Sequence, residues 1–175
     1  PKGWYIWPMA SSSEQIIGNS SALAHALEQL SRLATIDRPV LILGERGTGK
    51  ELAADRLHFL SNRWQGPLLK VNCAAIAEPL LESELLGHEP GAFTGATRSH
   101  RGRFERAEGG TLFLDELATM SAGLQEKLLR LIEYGEFERL GGQQTLHADV
   151  RVLAATNADL RQLASEGKFR HDLSL

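Results

Sequence analysis

Residues 40–50 read "VLILGERGTGK", four apolar residues followed by a glycine-rich loop that ends in a lysine. A short, wholly apolar run of this kind predicts a strand that is buried on both faces of a parallel sheet. The residues that follow, "ELAADRLHFL" at 51–60, have the composition and spacing of a helix. The loop fits the pattern G-x-x-x-x-G-K, which is informative when a strand precedes it and a helix follows it. This stretch therefore predicts both an α/β fold and a phosphate-binding loop.

The chemistry of the loop supports the phosphate interpretation over an ordinary glycine turn that caps a helix. Glycines let backbone N–H groups turn towards a phosphate chain, and the helix directs its positive end to the same place. Lys50 would reach the β- and γ-phosphates. Glu51 stands where the motif has Ser or Thr as a magnesium ligand, so the metal would depend on other carboxylates or on water. The candidate nucleotide-binding residues here are Gly44, Glu45, Arg46, Gly47, Thr48, Gly49, Lys50 and Glu51.

Strands and helices continue to alternate along the chain, which predicts a central parallel sheet. Further strands are expected at 68–72, 111–116 and 150–155, with a short hairpin around Gly141-Gly142. Further helices are expected at 19–34, 78–87, 121–136 and 159–169. Helical spacing places one set of residues inward in the helix at 19–34 and another in the helix at 121–136: Leu23, Leu27, Leu30 and Ala34, then Leu124, Leu128, Leu131 and Ile132. Asn19 or Ser20 would cap the helix at 19–34, and Ser121 the helix at 121–136.

Two acidic residues end the strand "TLFLDE", Asp115 and Glu116. In a parallel sheet this strand end lies beside the phosphate loop, so Asp115 would hold Mg²⁺, through water, and Glu116 would polarise the attacking water. A lone Asp-Glu pair is commonplace and usually caps the next helix. Together with the phosphate loop, the pair indicates an ATPase or a GTPase.

Polar side chains end two more of the predicted strands. Asn72 closes "LLKVN", and Thr156 and Asn157 close "VLAATN". An amide at this edge of the sheet could hold the attacking water or sense the γ-phosphate. A turn cap is the equally acceptable alternative for each asparagine.

Bulk composition narrows the class of protein. The chain has 175 residues, of which 42% are hydrophobic, and a formal net charge of −3. These values suit one compact domain and do not suggest an obvious nucleic-acid binder. Cys73 is the single cysteine, which favours a reducing, cytoplasmic location. No apolar run reaches the roughly 18 residues of a membrane span.

Residues 1–17 are expected to be a tail or cloning remnant, with Met9 as a candidate natural start. Residues 18–175 are expected to form the domain.

Five segments resemble the central AAA+ domain of bacterial enhancer-binding proteins, which activate sigma-54 RNA polymerase: "GERGTGKE", "ESELLGHEPGAFTGA", "GGTLFLDE", "QEKLLRLIEYGEFERLGG" and "VRVLAATNADL". They occur in family order between about Gly18 and Leu173. The resemblance implies a P-loop NTPase, a three-layer α/β sandwich that uses ATP and Mg²⁺ and forms a hexameric ring. The family's helical lid, second arginine and DNA-binding helix-turn-helix would follow Leu175, so the chain corresponds to a domain truncated at its C-terminus.

The resemblance also implies roles for individual residues. Asp115 and Glu116 match the family's acidic pair, Asn72 its switch residue, and Thr156 with Asn157 its first sensor. Arg170 matches an arginine that enters a neighbouring subunit's ATP site. In "EFERLGG", Glu138 and Arg139 would relay the state of the nucleotide to the loop that carries GAFTGA.

That loop comprises Gly91, Ala92, Phe93, Thr94, Gly95 and Ala96. The family places Phe93 and Thr94 at a tip that contacts the sigma factor, and an exposed apolar residue commonly marks a partner site. The alternative is a Phe93 side chain tucked into the core. Three functions are compared: an ATP-driven remodeller of the sigma-54 polymerase, a nucleotide-gated module that binds ATP without turnover, and a small-molecule kinase or helicase, which leaves GAFTGA unexplained.

Overall fold

The computed structural model describes residues 3–8, 16–18, 20–44 and 49–157. In chain order the elements are β1 (Gly3–Pro8), β2 (Ile16–Gly18), α1 (Ser20–Ala34), β3 (Val40–Gly44), α2 (Lys50–Phe59), β4 (Leu68–Asn72), α3 (Glu78–Leu86), α4 (Arg103–Arg106), β5 (Thr111–Asp115), α5 (Ala122–Tyr134), β6 (Glu136–Phe137), β7 (Leu146–His147) and β8 (Arg151–Thr156). A single 3-10 turn at Leu117–Thr119 separates β5 from α5. The helix predicted at 159–169 lies outside the described residues.

Four parallel strands form the centre of the main sheet, in the order β3-β8-β5-β4. This confirms the parallel α/β fold predicted from the alternating pattern. The segment that the sequence indicated as a tail contributes β1, which pairs antiparallel with β3, and β2, which pairs antiparallel with β1. Within the described part of the chain, no helix is long and apolar enough to cross a membrane.

Consecutive residues of β3 face opposite cores, so the molecule has three layers. Val40 and Ile42 belong to one cluster, which α1 and α2 cover with Leu30 and Leu57. Leu41 belongs to the other cluster, which contains residues of α3 and α5. A strand covered on both faces has no polar alternation, which explains why "VLIL" is apolar throughout.

Local signals account for both ends of α5, which ends at Tyr134, before the end of the helix predicted at 121–136. The Ser121 side chain accepts a hydrogen bond from the Leu124 amide and caps α5. Gly135 ends α5 with a φ of 65°, a left-handed conformation that glycine adopts without strain. Leu124, Leu128 and Leu131 are buried, and Ile132 packs partly buried against the same core. The predicted hairpin is present, although β6 and β7 pair over only two residues each.

Candidate functional site

Several of the predicted site residues lie together at one end of the sheet, where the four parallel strands have their carboxyl ends. Asn72 and Asp115 are paired residues of β4 and β5. Thr156 pairs with Leu43, next to Gly44, at the end of β3. Open parallel sheets bind ligands in the crevice outside the carboxyl ends of their strands. Four separate segments therefore meet where a ligand site is expected.

Lys50 is the first residue of α2 and its side chain is directed back across the loop. Its Nζ donates a hydrogen bond of 2.7 Å to the Gly44 carbonyl oxygen. The residue is only 7% exposed, and a charged amine at such a buried position needs partners for its protons. Gly49 precedes it with a φ of 85°, which a side chain would disfavour. Glu45, Arg46, Gly47 and Thr48 lie outside the described residues.

The Glu51 side chain pairs with a lysine, at the position where the motif has a magnesium ligand. Its carboxylate accepts a hydrogen bond of 2.8 Å from Lys70 Nζ on β4, and Lys70 also pairs with Asp55 at 2.7 Å. The three side chains link the helix that follows the phosphate loop to the strand that carries Asn72. Glu51 thus pairs with Lys70 in the described part of the molecule.

Asp115 is the last residue of β5, and Glu116 follows it in an unusual backbone conformation. Asp115 Oδ1 accepts a hydrogen bond of 2.9 Å from the Glu116 amide, which uses one of the two carboxylate oxygens. Glu116 has φ 58° and ψ 47° and is the single non-glycine residue with a positive φ in the described part of the chain. Strained residues of this kind cluster at active sites and ligand clamps.

The turn after β4 is hydrogen-bonded to the end of β5, beside this acidic pair. Asn72 Oδ1 accepts a hydrogen bond of 3.0 Å from the Ala74 amide, and the Cys73 amide donates to the Asp115 carbonyl at 2.9 Å. Burial, together with the nearby charges of Asp115 and Glu116, raises the pKa of the Cys73 thiol to about 12. The thiol is therefore protonated at neutral pH and is a poor nucleophile.

The remaining predicted sensor residues differ in exposure. Thr156 is fully buried, whereas Asn157 is exposed directly after the strand. Arg170 lies outside the described residues, so its distance from the strand ends is not described.

The segment 91–96 forms a closed turn with its aromatic residue partly in solvent. The Gly91 amide donates to the Ala96 carbonyl at 2.8 Å, and Gly91 and Gly95 have φ angles of 85° and 94°. Phe93 is 43% exposed, and its ring packs edge-on against His88 with 4.9 Å between ring centroids. The alternative of a Phe93 buried in the core is therefore wrong.

The hairpin loop between β6 and β7 lies directly beside this turn. The Leu140 amide donates to the Gly87 carbonyl at 2.9 Å, and the Glu89 amide donates to the Leu140 carbonyl at 2.9 Å. Gly141 approaches Ala92 so closely that a Cβ at position 141 would lie 3.0 Å from the Ala92 Cα. The two loops therefore share backbone hydrogen bonds and packing.

Arg139 joins the two loops to α4. It makes two hydrogen bonds to Glu105, of 2.9 and 2.8 Å, and a third of 2.8 Å to Glu89. The hydrogen bonds that Arg139 donates to Glu105 and Glu89 raise the pKa of the guanidinium above its usual value. Glu138 is exposed. Arg139 therefore connects the hairpin loop directly to Glu89, two residues before the GAFTGA turn.

Several residues of this network were not predicted from the sequence. Glu89 and Glu105 are the acceptors of Arg139, and Lys70 is the partner of Glu51. Each pair joins segments that are 19 to 50 residues apart in the chain. No local sequence pattern predicts such a pair, because a charged residue with a distant partner has the same sequence signature as a charged residue that faces solvent.

Among the described residues, no group of three or more His, Cys, Asp and Glu side chains could hold a metal ion by itself. The Asp115 carboxylate at the end of β5 is a hard oxygen donor, the kind of ligand that Mg²⁺ prefers.

Comparison with known protein families gives a match over most of the chain. The model of the family described as "Sigma-54 interaction domain" matches residues 16–175. The chain is 62% identical to the Psp operon transcriptional activator of Escherichia coli (strain K12) over 165 residues, which are 94% of this chain and 51% of that protein. It is 54% identical to the Nif-specific regulatory protein of Rhodobacter capsulatus, over 93% of this chain and 28% of that protein. The chain thus spans about half the length, or less, of these curated relatives.

Solved structures support the same fold. NtrX from Brucella abortus, crystallised in complex with ATP, superposes with a TM-score of 0.80 at 37% identity, over 91% of this chain and 34% of that chain. The P-loop NTPase domain of an E. coli sigma-54 activator superposes with a TM-score of 0.56 at 20% identity, over 83% of this chain and 95% of that chain. The second comparison supports the three-layer P-loop fold alone.

Proposed function

This chain belongs to the Sigma-54 interaction domain family, and from that premise we propose that it hydrolyses ATP to remodel the closed complex of sigma-54 RNA polymerase. The observation that carries the proposal is the meeting of Lys50, Asp115 and Asn72 at one edge of the sheet, with the GAFTGA turn on a separate, exposed loop. The end of the sheet has the groups for phosphate chemistry, and the exposed loop has an aromatic residue for a protein partner.

At the sheet edge, each side chain has a distinct task in the proposed reaction. Lys50, once released from the Gly44 carbonyl, would bind the β- and γ-phosphates, since an ammonium group is the usual phosphate ligand of this loop. Asp115 would hold Mg²⁺, which supplies charge neutralisation to the phosphates when it is bound. Glu116 would orient and polarise the attacking water. Asn72 lies next to Asp115 and would respond to the γ-phosphate, with Thr156 and Asn157 on the neighbouring strand.

The coupling to work would run through the paired loops. The turn after β4 is hydrogen-bonded to the end of β5. Arg103 of α4 donates a hydrogen bond of 3.0 Å to the Lys70 carbonyl of β4, and α4 also carries Glu105. Glu105 holds Arg139, and Arg139 holds Glu89 at the base of the GAFTGA turn. A change at the strand ends would therefore reach Phe93 and Thr94 through contiguous contacts. Such a chain of contacts is a structural argument for coupling, and a coupling measurement must test it.

The proposal also includes features that the family resemblance implies beyond the described residues of this chain. Arg170 would complete the ATP site of a neighbouring subunit in a hexameric ring, DNA would be bound through a helix-turn-helix that follows this chain, and the location would be cytoplasmic. These follow from the family resemblance. They are compatible with the partial coverage of the relatives by this chain.

A module that binds ATP without turnover is the second candidate function. The strained Glu116 favours turnover, because a merely structural acidic pair has no need of a left-handed backbone. Measurement of phosphate release against protein concentration decides between them. We expect turnover per subunit to rise with concentration, because a site completed in trans needs an assembled ring. Nucleotide binding with no phosphate release at any concentration would support the binding module instead.

A further inference from the structure

The backbone of Glu116 is held in a conformation that it would not adopt alone. Its φ of 58° and ψ of 47° lie in the left-handed region, where the Cβ of an L-residue comes too close to the following carbonyl oxygen. Such conformations persist only where the surroundings over-determine them. The contacts that fix Glu116 therefore also fix the direction in which its carboxylate leaves the backbone.

Thr119 supplies two of these contacts to a single atom. The Glu116 carbonyl oxygen accepts hydrogen bonds from the Thr119 amide at 3.2 Å and from Thr119 Oγ1 at 2.8 Å. On the other side, the Glu116 amide donates to Asp115 Oδ1. Both peptide groups of Glu116 are thus held, one by its acidic neighbour and one by Thr119.

The rest of the 3-10 turn is anchored independently of the Thr119 hydroxyl. Leu117 is fully buried and Met120 is 3% exposed. The Ser121 amide donates to the Glu78 carboxylate at the start of α3, at 3.2 Å to Oε1. Thr119 itself is exposed, so its hydroxyl is not required to fill the core. The hydrogen bond from its hydroxyl to the Glu116 carbonyl therefore contributes to something other than core packing.

We propose that Thr119 is a positioning residue for ATP hydrolysis, whose hydroxyl holds Glu116 in the left-handed conformation from which its carboxylate can polarise water. The inference rests on the proposed function, because it takes Glu116 as the residue that polarises the attacking water. It goes beyond that function by assigning a role to a residue outside the motif. Loss of the hydroxyl should let Glu116 relax towards an unstrained backbone and misdirect its carboxylate.

A purely local cap is the alternative, and the molecule contains a matched example of one. Thr35 Oγ1 donates to the Arg32 carbonyl, also three residues earlier, at 2.9 Å and in an exposed position. Arg32 has no positive φ, and this hydrogen bond lies at the end of α1. Replacement of Thr35 by valine therefore removes the same hydrogen bond without touching a strained residue.

The test compares Thr119→Val, Thr119→Ser and Thr35→Val in the protein at its full natural length. We expect Thr119→Val to lower kcat for ATP about fivefold, the rate equivalent of one net hydrogen bond, with KM and ATP affinity unchanged. Thr119→Ser, which keeps the hydroxyl, and Thr35→Val should both retain the wild-type kcat. Wild-type kcat in Thr119→Val, an equal loss in Thr119→Ser, or an equal loss in Thr35→Val would overturn the proposal.

A structural readout separates this proposal from the proposed function. The Cα and Cβ chemical shifts of Glu116 report its backbone conformation by NMR. They should leave the left-handed range in Thr119→Val and keep it in Thr119→Ser and Thr35→Val. If the wild type hydrolyses no ATP, the proposed function fails. Glu116 shifts that stay left-handed in Thr119→Val would reject the positioning role in either case.

Discussion

Asn72 and Asp115 lie side by side as paired residues at the carboxyl ends of β4 and β5. The Cys73 amide, next in the chain after Asn72, donates to the Asp115 carbonyl. The amide of one strand and the carboxylate of the next are thereby fixed in register. The pairing makes Asn72 a direct neighbour of the acidic residues proposed to act on ATP.

Asn72→Asp should separate a catalytic contribution of the amide from a turn cap. An aspartate at this position can accept the same hydrogen bond from the Ala74 amide, but it has no N–H donor and adds a negative charge beside Asp115. We expect thermal stability within about 1 kcal/mol of the wild type and a loss of ATP turnover of about tenfold or more. Wild-type turnover in Asn72→Asp would identify Asn72 as a turn cap alone.

Lys50→Ala should weaken nucleotide binding by about 10- to 100-fold, because a hydrogen bond to a charged group contributes about 1.5–3 kcal/mol. The exposed Lys127 on α5, which pairs with Glu82, provides the control variant Lys127→Ala. Titration with a fluorescent ATP analogue measures both. Equal affinities in the two variants would place the phosphates away from Lys50.

Glu116→Ala should bind ATP normally and lose hydrolysis, since general-base assistance contributes about 10²- to 10⁴-fold in rate. Glu133→Ala removes an exposed carboxylate from α5 and should leave both properties unchanged. Phosphate release and nucleotide affinity are measured on the same preparations. Normal turnover in Glu116→Ala would show that another group polarises the water.

Phe93→Ala should separate ATP hydrolysis from partner binding. The side chain contacts His88 and solvent, so ATP turnover should stay close to normal. Capture of sigma-54 factor with an ATP transition-state mimic should fall about thirtyfold, the loss expected for an aromatic anchor worth about 2 kcal/mol. Thr94→Ala should act in the same direction.

Tyr134→Ala is the matched control for this experiment, because Tyr134 is an aromatic residue at the end of α5 that is 66% exposed. It should change neither turnover nor capture. Loss of turnover with retained capture in Phe93→Ala would assign Phe93 to the ATP site or to folding, and the partner proposal would fail.

His58 should make the folded domain less stable as the pH falls below neutrality. The ring is buried, with Nδ1 2.7 Å from Thr111 Oγ1 and Nε2 3.2 Å from the Gly66 carbonyl oxygen. Burial lowers the pKa of His58 below its ordinary value of 6.5, although the Gly66 carbonyl opposes this shift. An unfolded chain therefore binds a proton near pH 6.5 that the folded chain excludes, so stability present above that pH is lost below it.

Urea unfolding of the wild type and of His58→Gln between pH 5 and 8 measures this effect. We expect the free energy of unfolding to fall towards pH 5 in the wild type, and the fall to be shallower in the variant. Parallel pH profiles would show that His58 is not the residue responsible.

The sequence by itself determined the local elements of this protein. The apolar run at 40–43 predicts a strand covered on both faces, Ser121 predicts the start of α5, and the glycines of 91–96 predict a turn. Each signal lies within a few residues of the structure it specifies, because hydrogen bonds of caps and turns and the period of a helix are local. The motif order then predicted the family and the sheet edge at which the site residues meet.

Tertiary structure alone decided how distant segments meet. The strand order β3-β8-β5-β4 differs from chain order, because the hydrogen bonds of a parallel sheet join segments that are far apart in the sequence. Glu51 stands in the sequence where the motif has Ser or Thr, and only the folded sheet shows that Lys70 is its partner. Glu116 carries no sign in the sequence of a left-handed backbone. In the folded protein its amide donates to Asp115 Oδ1 and its carbonyl accepts from Thr119, at the end of a strand that pairs with β4 and β8.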